Sequence, residues 1–306
     1  MSKNTPPTPR SDVYARVSDR IVADLEQGVR PWMRPWCKSP EEGATSRPLR
    51  HNGMPYRGIN VLLLWGAAAD KGFRSPTWLT YRQAQELGAH VRQSETGSLV
   101  VYANTFTTTD TNAEGEDVER EASFMKAYTV FNAQQIDGLP ERKTSLSDEA
   151  VERLRSLETA EGFFAATGAR VRHGGNRAFY APSVDTVQLP PVEAFRDAES
   201  YAATKAHEFV HWTGHERRLA RTFGQRFGDE AYAVEELVAE MGAAFLCADL
   251  GISQEVRADH ADYLASWLTV LRADKRAIFT AASQAQRAAD YLHECATGAP
   301  LPLDVA

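Results

Sequence analysis

His207 and His211 stand four residues apart in the run His207-Glu208-Phe209-Val210-His211. On a helix, residues i and i+4 share a face, so both imidazoles can reach one metal ion without bending the backbone. Glu208 sits one residue along, at the edge of that face. From there its carboxylate can hold a water on the ion and take its proton. A catalytic ion wants a third protein ligand and an open position for water. About 25 residues on, the chain reads Glu235-Glu236-Leu237-Val238-Ala239-Glu240-Met241-Gly242-Ala243. Val234, Leu237, Val238, Met241 and Phe245 form an apolar stripe there. Glu236 and Glu240 make a second i/i+4 pair, on a face softened by Ala239, Gly242 and Ala243, where small residues let two helices approach closely. We read Glu236 as the third ligand and Glu240 as the acid that orients a histidine from behind. Glu235 is the register alternative. His215 is read as a residue behind the ligands or at the helix end. Tyr232, Tyr263 and His260 are candidate oxyanion donors. A His/His/Glu set suits Zn²⁺ best, and geometry and availability also admit Mn²⁺ or Co²⁺.

These residues need helices to carry them, and the patterning supplies them. Helical stretches are expected over 198–213 and 231–250. Further helices are expected over 12–27, 59–69, 80–87, 148–166, 254–273 and 275–296. Runs rich in Val, Tyr and Phe at 99–106 and 126–132 read as strands. With the polar, acidic stretch 107–123 between them, they read as a hairpin with a long solvated loop, or as flanking an insertion. Short strands are expected at 169–172, 177–181 and 186–189, just ahead of the metal helix. An edge strand within 178–189 is the preferred place for an extended peptide. Pro and Gly punctuation near 138–147 marks a boundary. The plan is therefore α+β. Residues 1–11 form a disordered tail. Residues 12–142 form a mixed α/β N-terminal domain, and 143–306 a mainly helical domain with a small β-sheet.

Composition narrows the partners. The chain has 306 residues, 43% of them hydrophobic, and a formal net charge of −7. The N-terminus lacks the apolar stretch of a signal peptide, and no run approaches the ~20 apolar residues a bilayer needs, so a membrane role is not expected. Three scattered cysteines fit a reducing cytoplasm better than a disulfide framework. The negative total hides a basic segment. Residues 1–92 carry 14 Lys+Arg against 8 Asp+Glu, whereas 93–140 carry 2 against 8. Arginines interleave with aromatics through the basic part. Arg grips phosphate in a two-pronged way, and aromatic faces stack unpaired bases at ~1–3 kcal/mol each. Arg34, Arg50, Tyr56, Arg57, Trp78, Tyr81, Arg82 and Arg92 are accordingly the expected contacts to single-stranded DNA. The bland alternative is that the tryptophans simply build a core. Helix-turn-helix, zinc-finger and KH signatures are absent from the sequence.

The metal motif resembles the gluzincin group of zincin metallopeptidases, which implies Zn²⁺ with Glu208 as general base. A longer resemblance runs over about residues 12–295. Arg30-Pro31-Trp32-Met33-Arg34-Pro35-Trp36, Gly53-Met54-Pro55-Tyr56-Arg57-Gly58-Ile59-Asn60, Trp78-Leu79-Thr80-Tyr81-Arg82-Gln83-Ala84 and Val130-Phe131-Asn132-Ala133-Gln134-Gln135-Ile136-Asp137-Gly138-Leu139-Pro140 resemble successive motifs of ArdC-type antirestriction proteins. Relatives of that family are fused to conjugative primases. The resemblance implies an N-terminal single-stranded DNA-binding domain and a zincin domain. It also implies protection of incoming plasmid DNA from host restriction during conjugation. A protein of the restriction machinery is an open candidate for a peptidase target. One departure stands out: Gln93-Ser94-Glu95-Thr96-Gly97-Ser98 occupies a turn that is usually rich in Lys and Gly. Two other functions compete with this reading: a cytoplasmic metallopeptidase without a DNA role, and a DNA shield whose metal site is structural only.

Overall fold

A computed structural model describes residues 12–33, 46–111, 117–140, 149–223, 230–252 and 261–298. The tail, the 141–147 part of the boundary, Arg34 and His260 lie outside the described residues.

Helix α1 (Val13–Glu26) starts where Asp12 accepts the Tyr14 N–H, and it buries the four-spaced row Val17, Ile21 and Leu25. Helix α2 (Ile59–Lys71) is short and apolar. Helix α3 (Tyr81–Glu86) begins in a capping box: Thr80 accepts from the Gln83 N–H, and the Gln83 side chain accepts from the Thr80 N–H. A four-stranded sheet runs beside these helices in the order β1 (Leu49–Arg50), β2 (Thr77–Leu79), β5 (Asp117–Asn132), β4 (Ser98–Thr111). Strands β1 and β2 are parallel, and the other neighbours are antiparallel. The β4–β5 ladder corrects the sequence expectation. It continues without interruption from Ser98↔Val130 to Thr111↔Asp117, so most of the acidic stretch is paired strand, not loop. Its many threonines and valines favour an extended ladder, and its acids do not prevent one. A small pair, β3 (His90–Val91) with β6 (Ile136–Asp137), closes this half.

The second half contains α4 (Glu149–Ala166), α5 (Ala198–Thr213), α6 (Glu230–Leu250), α7 (Ala261–Ala273) and α8 (Ala277–Thr297). Three short strands, β7 (Val171–His173), β9 (Thr186–Leu189) and β8 (Phe179–Ala181), form a sheet in that order. Strand β8 is an edge, and Phe179 on it is exposed.

The two halves share one continuous hydrophobic core, from Val17 to Leu292. Trp32 meets Trp267 edge-on at 5.7 Å, Trp65 meets Phe245 at 6.1 Å, and Tyr14 meets Phe279 at 4.8 Å. Polar contacts cross the same seam. Arg47 lies over the Phe245 ring and grips Asp249 with two bonds of 2.7 and 2.8 Å. Its third nitrogen reaches Gln286 at 2.7 Å. Arg57 pairs with Asp290. Among the described residues no helix is long and apolar enough to cross a membrane.

Candidate metal centre

Helix α5 is capped by Asp197, whose carboxylate accepts the Ser200 N–H at 2.7 Å. From Tyr201 to Thr213 every residue of α5 is buried, which is unusual for a helix carrying Lys, His and Glu. Helix α6 lies against it, and the contact depends on Gly242. A β-carbon there would sit 2.8 Å from Val210 Cγ2 and 3.0 Å from Cγ1. The small-residue face of α6 therefore brings the α6 acids up to the α5 histidines.

The nitrogens His207 Nε2 and His211 Nε2 are 3.2 Å apart. Glu236 places Oε2 3.5 Å from the first and Oε1 3.5 Å from the second. His207, His211 and Glu236 form a buried group whose donor atoms all lie within 4.8 Å of one another. A tetrahedral ion with bonds of about 2.05 Å wants ligand atoms about 3.3 Å apart. The two histidine nitrogens have that spacing and each has a Glu236 oxygen at 3.5 Å, so the group fits one divalent ion. On their far sides both rings meet acids: His207 Nδ1 is 3.4 Å from Glu240, and His211 Nδ1 is 3.0 Å from Glu235. Each acid can accept the Nδ1 proton, which leaves the Nε2 lone pair for the metal.

The electrostatics follow from burial and pairing. Burial alone would push His211 down, but Glu235 and Glu236 outweigh it and raise its pKa to about 10. Burial pushes the Glu236 carboxyl upward, yet its contacts with His207 and His211 hold it well below the ordinary carboxylate range. Glu208 is 3% exposed, and no hydrogen bond or ion pair engages its carboxylate among the described residues. The Tyr232 hydroxyl lies 3.2 Å from that of Tyr263, and burial, first, then Tyr263 and Glu236 push its pKa up, so it stays a neutral donor beside the site.

Of the two places read for His215, the structure has it past the end of α5 and not behind the ligands. It lies in the turn past α5, its Nδ1 accepts the Arg217 N–H at 3.2 Å, and it faces a separate cavity. That cavity, of about 650 Å³, is lined by Arg170, Asp185, His215, Arg217 and Arg221 among others. The place behind His211 belongs to Glu235, and to Arg221, which sequence reasoning missed. The Arg221 guanidinium donates to both oxygens of Glu235, at 2.9 and 2.8 Å. It also donates to Thr213 Oγ1 at 2.7 Å and to the Val210 carbonyl at 2.6 Å.

The expected DNA contacts divide. Tyr81 is 53% exposed, and Arg82 projects into solvent with Glu86 at 2.8 Å. Trp78 is 1% exposed and packs edge-on against Phe73 at 5.8 Å, so its face is not open for stacking. This corrects its assignment: as β2 enters the sheet it turns Trp78 inward. Tyr56 is buried, with Arg50 over its ring at 5.6 Å. The Arg57 guanidinium is held by Asp290. Arg92 pairs with Glu95 at 2.6 Å and with Asp137 at 3.5 Å. Glu95 belongs to the atypical turn, so that turn supplies the acid that offsets Arg92.

Comparison with known proteins agrees with the two-part geometry. Residues 11–131 match the family described as the N-terminal domain of anti-restriction factor ArdC. Residues 158–284 match the family described as zincin-like metallopeptidase. The crystal structure of the antirestriction ArdC protein from plasmid R388, in metal-free form, is similar with a TM-score of 0.78 and 45% identity, over 94% of this chain and 98% of that one. Its Mn(II)-bound form aligns with a TM-score of 0.74. The uncharacterized protein y4eC of Sinorhizobium fredii is 44% identical over 94% of both chains. A DNA primase TraC of Escherichia coli is 40% identical over 91% of this chain, which spans 27% of that primase.

Proposed function

The chain belongs to the ArdC antirestriction family and carries a zincin-like domain; from that premise we propose that it binds single-stranded DNA and shields incoming plasmid DNA from host restriction during conjugation. We further propose that its metal centre is a Zn²⁺ site of peptidase type, held by His207, His211 and Glu236. Mn²⁺ or Co²⁺ would fit the same donors, and the Mn(II)-bound relative supports that tolerance. The single observation that carries the metal reading is the buried His/His/Glu group with near-tetrahedral spacing.

A bound ion would polarise a carbonyl and acidify water. The other roles fall to the chain. Glu208 holds the attacking water and takes its proton. Tyr232 donates to the developing oxyanion. Glu240 and Glu235 keep the histidines turned toward the ion. Strand β8, with its free edge and exposed Phe179, receives an extended peptide by strand addition. A protein of the host restriction machinery is the proposed target. On the DNA side, Tyr81 and Arg82 are the proposed contacts, because they are solvent-facing where Tyr56, Arg57 and Trp78 are engaged within the fold.

The test is transfer of an unmodified plasmid into a restricting recipient. Wild type is compared with Glu208→Ala and with Tyr81→Ala/Arg82→Ala. Loss of protection with Glu208→Ala, with metal content retained, supports catalysis; full protection makes the ion structural. Unchanged protection and unchanged single-stranded DNA binding by the Tyr81/Arg82 variant would refute that assignment. Metal analysis of His207→Ala closes the set, since loss of the stoichiometric ion is expected.

A further inference from the structure

Two adjacent glutamates both reach His211, yet one ion can use only one of them well. Glu235 Oε1 stands 3.0 Å from His211 Nδ1, and Glu236 Oε1 stands 3.5 Å from His211 Nε2. His207 Nε2, 3.2 Å from His211 Nε2, marks that side of the ring as the ion's. What keeps the other side as a proton acceptor lies around Glu235. Arg221 and Glu235 are each only 5% exposed at the side chain and are joined by two parallel bonds. The same guanidinium is anchored to the end of α5 through Thr213 and Val210. With its carboxylate fixed in this fork, Glu235 cannot turn toward the ion. It remains an acceptor for the Nδ1 proton of His211.

The chain accepts backbone strain to put Arg221 there. Ala220 adopts φ +48°, in the left-handed region that a non-glycine residue rarely occupies. That bend lets the Arg221 N–H reach the Gly214 carbonyl at 2.9 Å. Gly214 also leaves room for the side chain, since a β-carbon there would lie 2.9 Å from Arg221 Nη2 and 2.6 Å from Phe223 Cζ.

We propose that Arg221 is a positioning residue: acting through Glu235, it fixes the His211 tautomer and leaves Glu236, not Glu235, as the carboxylate ligand. The inference rests on the metal-centre reading above. The experiment uses the full chain freed of metal, titrated with Zn²⁺ against a chromophoric chelator, and in parallel loaded with Co²⁺ for its visible spectrum. The variants are Arg221→Met, Glu235→Gln and Gly214→Ala. Loss of a residue behind a metal-bound histidine weakens metal affinity about 10–100-fold. That loss is expected for Arg221→Met, with an altered Co²⁺ spectrum as Glu235 enters the coordination sphere. Arg221→Met combined with Glu235→Gln should recover the wild-type spectral shape, because the competing carboxylate is gone. A merely structural Arg221 would lower the unfolding midpoint and leave affinity and spectrum unmoved, which would overturn the proposal. Should Arg221→Met fail to fold, Gly214→Ala carries the test, because it crowds the guanidinium without removing it. Wild type that takes up no Zn²⁺ or Co²⁺ would overturn the metal reading itself, a result distinct from uptake that ignores Arg221.

Discussion

Substituting Gly242 with alanine tests the geometry on which the metal centre depends. The added methyl would lie 2.8 and 3.0 Å from the two γ-carbons of Val210. Ordinary carbon contacts are about 3.5–4.0 Å, so the overlap is roughly 0.5–1 Å. Val210 is fully buried, and a β-branched side chain in a helix has essentially one rotamer, so it cannot swing aside. Relief must come from sliding α6 against α5. Two terms then compete in the metal-free protein. Alanine gains about 1 kcal/mol of helix propensity over glycine. Overpacking a tight core costs about 1–3 kcal/mol. The net is a destabilisation of roughly 0–2 kcal/mol. The metal responds more sharply. Ligand positions must hold within about 0.2 Å, and a shift of half an ångström between the helices that carry His207/His211 and Glu236 exceeds that. We expect Zn²⁺ affinity to fall at least about tenfold, or about 1.4 kcal/mol. Denaturant unfolding of the metal-free chain and chelator competition measure the two quantities separately. Pairing Gly242→Ala with Val210→Ala should restore the affinity. A Gly242→Ala chain that is more stable by about 1 kcal/mol, with unchanged affinity, would refute the close helix contact.

Three further outcomes follow from the same structure. Replacing Arg47 with alanine removes the two-bond partner of Asp249 at the seam, leaves it only His293, and should cost about 1.5–3 kcal/mol of unfolding free energy, read by urea titration. The hydrogen bond from Arg218, set against partial burial, lowers the Asp185 pKa to about 2 from 3.8. Its folded pKa is depressed, so this stabilisation is complete above about pH 4 and is lost as pH falls toward 2. Because the group is part-exposed it amounts to at most about 1–2 kcal/mol, and Asp185→Asn should flatten the acid limb of stability by that amount. Converting Glu95 to glutamine frees Arg92 of its nearest acid, and should raise single-stranded DNA affinity and steepen its salt dependence by up to about 0.7 of a counterion, measured by binding across salt concentrations.

Some of this arrangement was readable from residue types, and some was not. His207 and His211 announce themselves because helix periodicity turns a four-residue spacing into a shared face. Glu236 and Glu240 are legible for the same reason, and the small residues near them, Ala239, Gly242 and Ala243, signal the close packing that Gly242 then displays. Arg221 was not legible. It sits outside any helix, 14 residues ahead of Glu235, and no periodic pattern links a turn arginine to a helix acid. The aromatic and arginine run before residue 92 was ambiguous in a different way. A tryptophan that stacks a base and one that fills a core share the same chemistry, and only the sheet order shows that Trp78 points inward. The stretch 107–123 carries opposed signals: its acids suggest a solvated loop, and the threonines at its start suggest strand. Cross-strand pairing satisfies the backbone whatever the charge of the residues along the ladder.

The seam between the halves has a thermodynamic consequence. Trp32 on Trp267, Trp65 on Phe245 and Arg47 on Asp249 bury side chains from both halves in one core. Neither half can open without exposing apolar surface on the other. A ligand that binds only the folded chain adds RT ln(1 + [L]/Kd) to whatever unit unfolds with it, about 2.7 kcal/mol at a hundredfold excess over Kd. Here that unit includes α1 and α2 as well as α5 and α6. Adding Zn²⁺ to the metal-free chain should therefore increase protection of amide hydrogens in the N-terminal half, far from His207, His211 and Glu236.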